Sequence, residues 1–141
     1  TDDLLVIGGD NLFSFNINEF AAFAKSASPN NLIGLYDLNG RLRPDKFGMV
    51  KLDNTGKVIE FHEKPKHLNG SRLVSMCFYY FPREKLSLIK EYLNEEKGLG
   101  AIGAYIEWLS RKDAVYGYRF KEGDWLSIRD ADAYTEAVCT F

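Results

Sequence analysis

Leu4-Leu5-Val6-Ile7-Gly8-Gly9-Asp10-Asn11 is the stretch whose reading decides the fold. Four consecutive apolar residues predict a strand covered on both faces, as in parallel α/β sheets. Gly8 and Gly9 carry no side chains and let another backbone, a phosphate or a sugar come close. Asp10 would then stand at the strand's carboxyl end, where ligands of open α/β sheets collect. A carboxylate there suits Mg²⁺ held between protein and phosphate oxygens. The same residues also read as a strand followed by an ordinary Gly-Gly-Asp-Asn turn, and taken alone they favour that turn.

Beyond Asp10, Asn16 or Asn18 is placed to cap a helix. Ile17, Phe20, Ala21 and Ala24 give it one apolar face, and Ser28-Pro29-Asn30-Asn31 ends it. Residues 32–38 form the next apolar strand, so a βαβ unit with parallel pairing is expected. Residues 47–52 and 58–62 flank Asp53-Asn54-Thr55-Gly56-Lys57, the pattern of a hairpin. Pro65 closes its second strand and leads into a polar loop over 66–71. Residues 73–81 are a long β-prone run. Pro82 and Arg83 open a helix with Leu86, Ile89 and Leu93 on one face. Ile102, Ile106 and Leu109 mark another helix, and residues 115–120 another strand. Gly123-Asp124-Trp125 turns the chain, and Asp130 caps a terminal helix. This succession of strands and helices predicts one mixed α/β domain with a mostly parallel sheet, flanking helices and a hairpin excursion.

The 141 residues, 45% apolar and 27% charged, describe a globular chain able to bury a core. A net charge of −2 gives no electrostatic case for nucleic acid or an anionic membrane. No apolar run approaches the ~20 residues of a membrane span, and no leader pattern is visible, so a cytoplasmic location is expected. Cys77 and Cys139 have no metal or redox spacing and are expected as reduced thiols. His62 and His67 are expected at the surface. A chain that begins at Thr1, almost inside a core strand, predicts a fragment of a longer protein.

Five stretches fall in the order and at roughly the spacing of one family. They are Val6-Ile7-Gly8-Gly9-Asp10-Asn11, Phe47-Gly48-Met49-Val50, Phe61-His62-Glu63-Lys64-Pro65, Ile106-Glu107-Trp108-Leu109 with Val115-Tyr116-Gly117-Tyr118, and Gly123-Asp124-Trp125-Leu126. The ordered set resembles the sugar-phosphate nucleotidyltransferases, typified by glucose-1-phosphate thymidylyl- and uridylyltransferases. The resemblance implies a partial nucleotide-diphospho-sugar transferase, Rossmann-like fold. It also implies transfer of a nucleotidyl group from a nucleoside triphosphate to a sugar 1-phosphate, a task of positioning and charge neutralisation with Mg²⁺ as the expected agent. By the same resemblance Asp10 is the metal ligand and, with Lys64, catalytic. Gly9, Asn11, Gly48, Glu63, Lys64 and Val74 line the substrate, Glu63 accepting from sugar hydroxyls and Lys64 neutralising the phosphate. Trp108, Trp125 and the tyrosines at 79, 80, 116 and 118 are expected in the core.

Three departures qualify the resemblance. The family's glycine-rich, triphosphate-cradling loop is absent before Asp10, so nucleoside triphosphate is expected to bind through a missing N-terminal half. Ser127 stands where the family has a second metal-binding aspartate, and Arg129 where it has a glycine. Met76 occupies a place often held by glycine and is expected to crowd the sugar pocket. A sugar-phosphate-binding portion of a biosynthetic enzyme, inactive by itself, is therefore the leading expectation, with a degenerate regulatory or binding module as its rival. An exposed strand edge makes homo-oligomerisation an open expectation.

Overall fold

The computed structural model describes residues 2–39, 46–66, 70–95 and 100–140. Among the described residues eight strands and four α-helices follow in order: β1 (Leu4–Ile7), β2 (Asn11–Phe13), α1 (Ile17–Ala27), β3 (Asn31–Asp37), β4 (Gly48–Leu52), β5 (Val58–His62), β6 (Leu73–Phe81), α2 (Ser87–Glu95), α3 (Ile102–Lys112), β7 (Val115–Arg119), β8 (Trp125–Ser127) and α4 (Ala131–Thr140). A 3₁₀ turn, Arg83–Lys85, leads into α2.

The architecture is the expected mixed α/β sheet flanked by helices. Its main path runs β5-β4-β6-β3-β7, with β1 also paired to β6. The long strand β6 organises it: its first half lies between β4 and β3, and its second half between β1 and β3. The expectation of a mostly parallel sheet is corrected, because among the described residues only β3 and β7 pair in parallel. The expected parallel βαβ unit is corrected with it. β1 does not reach β3 but lies antiparallel along β6, with Leu5 opposite Tyr80 and Ile7 opposite Phe78. Nor is β1 covered on both faces: Leu4, Leu5 and Ile7 are 36%, 38% and 43% exposed.

Side chains of β6 alternate between two cores, as a strand's period of two requires. Tyr79 and Phe81 join Ile33, Leu35, Tyr105, Ile106 and Leu109 under α2 and α3. Val74, Met76 and Phe78 join Phe20, Ala24, Leu32 and Trp125 on the other face, under α1 and a two-stranded ribbon. That ribbon pairs β2 with β8, Asn11 facing Ser127 and Phe13 facing Trp125.

Local chemistry explains the boundaries. Asn16 accepts the Asn18 N–H and caps α1, and Asp130 accepts the Ala133 N–H at the start of α4. Asp53 accepts from the Thr55 N–H and hydroxyl and the Lys57 N–H, which closes the β4–β5 hairpin. In α2 the buried position is Tyr92, while Leu93 is 42% exposed, so the face expected there is rotated by one residue. His62 is exposed beside Glu60; His67 and residues 68 and 69 of the 66–71 loop lie outside the described residues.

Candidate functional site

The β4–β5 hairpin carries Gly48 and delivers Glu63 and Lys64 just past the end of β5. Lys64 turns there with φ 45°, its N–H donating to the Phe47 carbonyl at 3.2 Å. β6 supplies the floor. Between Ser75 and Tyr79 it bulges opposite Gly34, with Cys77 at φ 53°. Ser75, Cys77 and Tyr79 face the same hollow, and the Ser75 and Tyr79 hydroxyls share a hydrogen bond of 3.0 Å. α3 closes one side with Ala101, Ile102 and Gly103. Lys46, Phe47 and Arg129 complete a cleft of about 120 Å³.

Glu63 is held tightly within it. A side chain on Gly103 would have its Cβ 1.8 Å from Glu63 Oε2, and one on Gly48 would have it 3.2 Å from the same oxygen. Gly103 therefore leaves room for this carboxylate, while Gly48 makes room first for the Phe61 ring, 2.6 Å from such a Cβ; the carboxylate rests on the first turn of α3, where the helix dipole favours a negative charge. Burial pushes the Glu63 carboxyl above the usual glutamate range, the Lys64 and Arg129 charges pull it down, and Glu107 pushes it up. Lys64 Nζ lies 3.9 Å from Glu63 Oε1 and is half exposed. Three cationic side chains and one carboxylate thus line the hollow, a set suited to an anion that also carries hydroxyl groups.

Asp10 is not among the lining residues, but it reaches the cleft through Arg129. Arg129 Nε donates to Asp10 Oδ2 at 3.2 Å, Nη1 donates to the Lys46 carbonyl, and the guanidinium lies 4.8 Å from the centre of the Phe47 ring. Asn11 is absorbed by the turn: its amide nitrogen donates to the Gly8 carbonyl and to Asp10 Oδ1, and its oxygen accepts from Trp125 Nε1 at 2.7 Å. Space around Gly9 is open. Val74 is fully buried in the opposite core, and its neighbours across the ladder are Tyr36 and Met49. The structure therefore brings Gly48, Glu63 and Lys64 together, joins Asp10 to them through an ion pair, and leaves Val74 on the far side of the sheet. Met76 is corrected: it is fully buried beneath the sheet and cannot crowd the cleft.

A larger hollow of about 200 Å³ lies among Asn16, Glu19, Tyr118, Arg119, Lys121 and Asp124. It contains none of the residues expected to bind substrate.

A model of the nucleotidyl transferase family matches residues 1–141. The chain belongs to that family. Among nucleotidyl transferase relatives, the bifunctional protein GlmU of Methanocaldococcus jannaschii is 27% identical over 127 residues, covering 90% of this chain and 28% of that protein. Glucose-1-phosphate adenylyltransferase of Clostridium acetobutylicum is 26% identical over 137 residues, covering 95% and 35%. A crystal structure from Bacillus anthracis, assigned as a glucose-1-phosphate thymidylyltransferase in complex with sucrose, superposes with a TM-score of 0.81. It shares 23% identity over 98% of this chain and 54% of that one, a likeness of fold. This nucleotidyl transferase chain spans about a third of the length of the curated relatives it matches.

The residues of this nucleotidyl transferase do not fit a divalent cation at Asp10. Both carboxylate oxygens already accept hydrogen bonds, one of them from a guanidinium. Ser127, which faces Asn11 across the ribbon, keeps its Oγ buried with no hydrogen-bond partner among the described residues. No group of three or more His, Cys, Asp or Glu suited to a metal occurs among the described residues. Mg²⁺ prefers an octahedron of oxygens, and a neighbouring guanidinium repels it.

Sequence reasoning missed Ser75, Tyr79 and Gly103 as cleft residues. A β-prone run and a helix start carry no mark of what they will face. Arg129 did carry a signal, a large cation where the family resemblance expects glycine.

Proposed function

We propose that this chain is the sugar-phosphate-binding portion of an enzyme of nucleotide-sugar synthesis. A sugar 1-phosphate oxygen would attack the α-phosphorus of a nucleoside triphosphate. The new P–O bond forms as the bond to the β-phosphate bridge breaks, and pyrophosphate leaves. One observation carries this reading: Gly48, the adjacent pair Glu63 and Lys64, and Arg129, from three separate parts of the sequence, line one cleft. Glu63 would accept hydrogen bonds from sugar hydroxyls and Lys64 would neutralise the phosphate, with the main chain at Gly48 facing the sugar. Residues beyond this chain would hold the nucleoside triphosphate, and any divalent ion of the reaction would come with its phosphates or with those residues. No helix among the described residues is long and apolar enough to cross a membrane.

The test is pyrophosphate release by the full-length protein from a nucleoside triphosphate and a panel of hexose 1-phosphates. Turnover that falls at least about a hundredfold in Lys64→Ala and Glu63→Gln supports the reading, since a lost charge-assisted contact made in the transition state costs about 2.7–4 kcal/mol. Turnover unaffected by both changes would refute it. A second reading, a binding module without turnover, is favoured by the Asp10–Arg129 pair and the buried Ser127 hydroxyl. It predicts hexose 1-phosphate binding with no pyrophosphate release by the full-length protein.

A further inference from the structure

We propose that Arg129 is the phosphate anchor of this cleft, and that its guanidinium neutralises charge where a divalent cation would otherwise sit against Asp10. This rests on the sugar-phosphate reading above. The side chain is fixed from three directions. Asp10 accepts from its Nε–H, the Lys46 carbonyl accepts from Nη1, and the guanidinium lies over the Phe47 ring, 4.8 Å from its centre. Nη2 has no hydrogen-bond partner among the described residues, and the residue lines the cleft beside Lys64 and Glu63. Its side chain is 29% exposed, less than the 52% of Lys64, so its charge is less screened. Held this way, the guanidinium presents its free Nη2 N–H groups to a phosphate in a fixed direction, whereas Lys64 offers a point charge.

The position of Asp10 explains why the anchor is an arginine. β8 leaves the ribbon with the Ile128 N–H donating to the Asp10 carbonyl at 2.8 Å. That bond places residue 129 beside the Asp10 carboxylate, where a glycine would leave an open space. The guanidinium fills this space with a positive charge, and Ser127 removes the second carboxylate that a cation would need. Both changes act in the same direction: they replace metal ligands by one covalently attached cation. The cleft therefore recognises a monosaccharide phosphate without a divalent ion, Asp10 acting as the positioning residue for Arg129.

The experiment is calorimetric titration of the full-length protein with a panel of hexose 1-phosphates including glucose 1-phosphate, and with glucose and inorganic phosphate, in EDTA and in Mg²⁺. The expected result is equal affinity in both buffers. Arg129→Gln should weaken hexose 1-phosphate binding roughly tenfold or more, the loss of one charge-assisted contact, while glucose binding stays unchanged. Arg129→Lys should fall between, because it keeps the charge and loses the oriented Nη2 donors. Asp10→Asn should weaken binding less than Arg129→Gln, without introducing any response to Mg²⁺. Circular dichroism of each variant separates lost binding from lost folding, and Arg129→Lys is the variant least exposed to that ambiguity. Binding that requires Mg²⁺, or that Arg129→Gln leaves intact, overturns the anchor while the sugar-phosphate reading stands. Failure of every hexose 1-phosphate to bind in either buffer overturns both.

Discussion

At the residue scale, Glu63 is the group whose environment says most. Burial raises its carboxyl, so the ionised form is the costly one in the folded state. Its stabilising share is complete below the ordinary glutamate range and is lost as pH rises through the raised value. Glu63→Gln cannot ionise, so it should melt above the parent near neutral pH. The gap should close by about pH 4, where both states carry a protonated glutamate; thermal melts at the two pH values decide it, and an unchanged or lower neutral melting temperature would show that burial does not rule this group. Gly103→Ala offers a cleaner split. The three atoms nearest the new methyl all belong to the Glu63 carboxylate, which would have to swing aside, and alanine is up to about 1 kcal/mol better than glycine in a helix. Melting should hold or rise while hexose 1-phosphate affinity falls. Cys77 lies in the cleft floor with its thiol pushed up by burial and by the Asp10 charge, whereas Cys139 is exposed. Iodoacetamide at neutral pH should label Cys139 first, and mass spectrometry of a time course reads the order.

At the element scale, the bulge in β6 is what builds the cleft. Two ladder steps of β3, from Ile33 to Leu35, face four of β6, from Tyr79 to Ser75, with Gly34 between them. A Cβ on Gly34 would lie 2.9 Å from both Phe78 Cβ and a Phe120 ring carbon. Gly34→Ala should therefore cost about 1–3 kcal/mol through overpacking. Denaturant unfolding measures it, and a neutral result would mean that the bulge can shift. The sequence places β6 almost to the residue, since its β-prone run is continuous, yet nothing in that run marks the extra residues. Likewise β2 and β8 escaped notice. Each is three residues long, and they pair across more than a hundred residues of chain, so local periodicity has too little length to register.

At the scale of the whole molecule, two cores sit on opposite faces of one sheet, and β1 lies at its margin with Leu4, Leu5 and Ile7 partly in solvent. A strand edge of this kind seeks a partner. Residues 1–141 alone should associate increasingly with concentration, and Leu5→Lys should reduce that association in sedimentation velocity; a monomer at every concentration would contradict it. The order of the helices and longer strands, the capping residues Asn16 and Asp130, the hairpin and the family were all readable in the sequence, because periodicity, caps and turn chemistry are local and the family motifs recur in order. So was the convergence of Gly48, Glu63 and Lys64, through the family resemblance. The antiparallel placing of β1, the burial of Val74 and Met76 away from the cleft, and the capture of Asp10 by Arg129 were decided only by tertiary structure. Strand direction and the face a side chain takes depend on which distant strand lies alongside, and an ion pair between residues 119 apart exists only once the sheet has brought its two ends together.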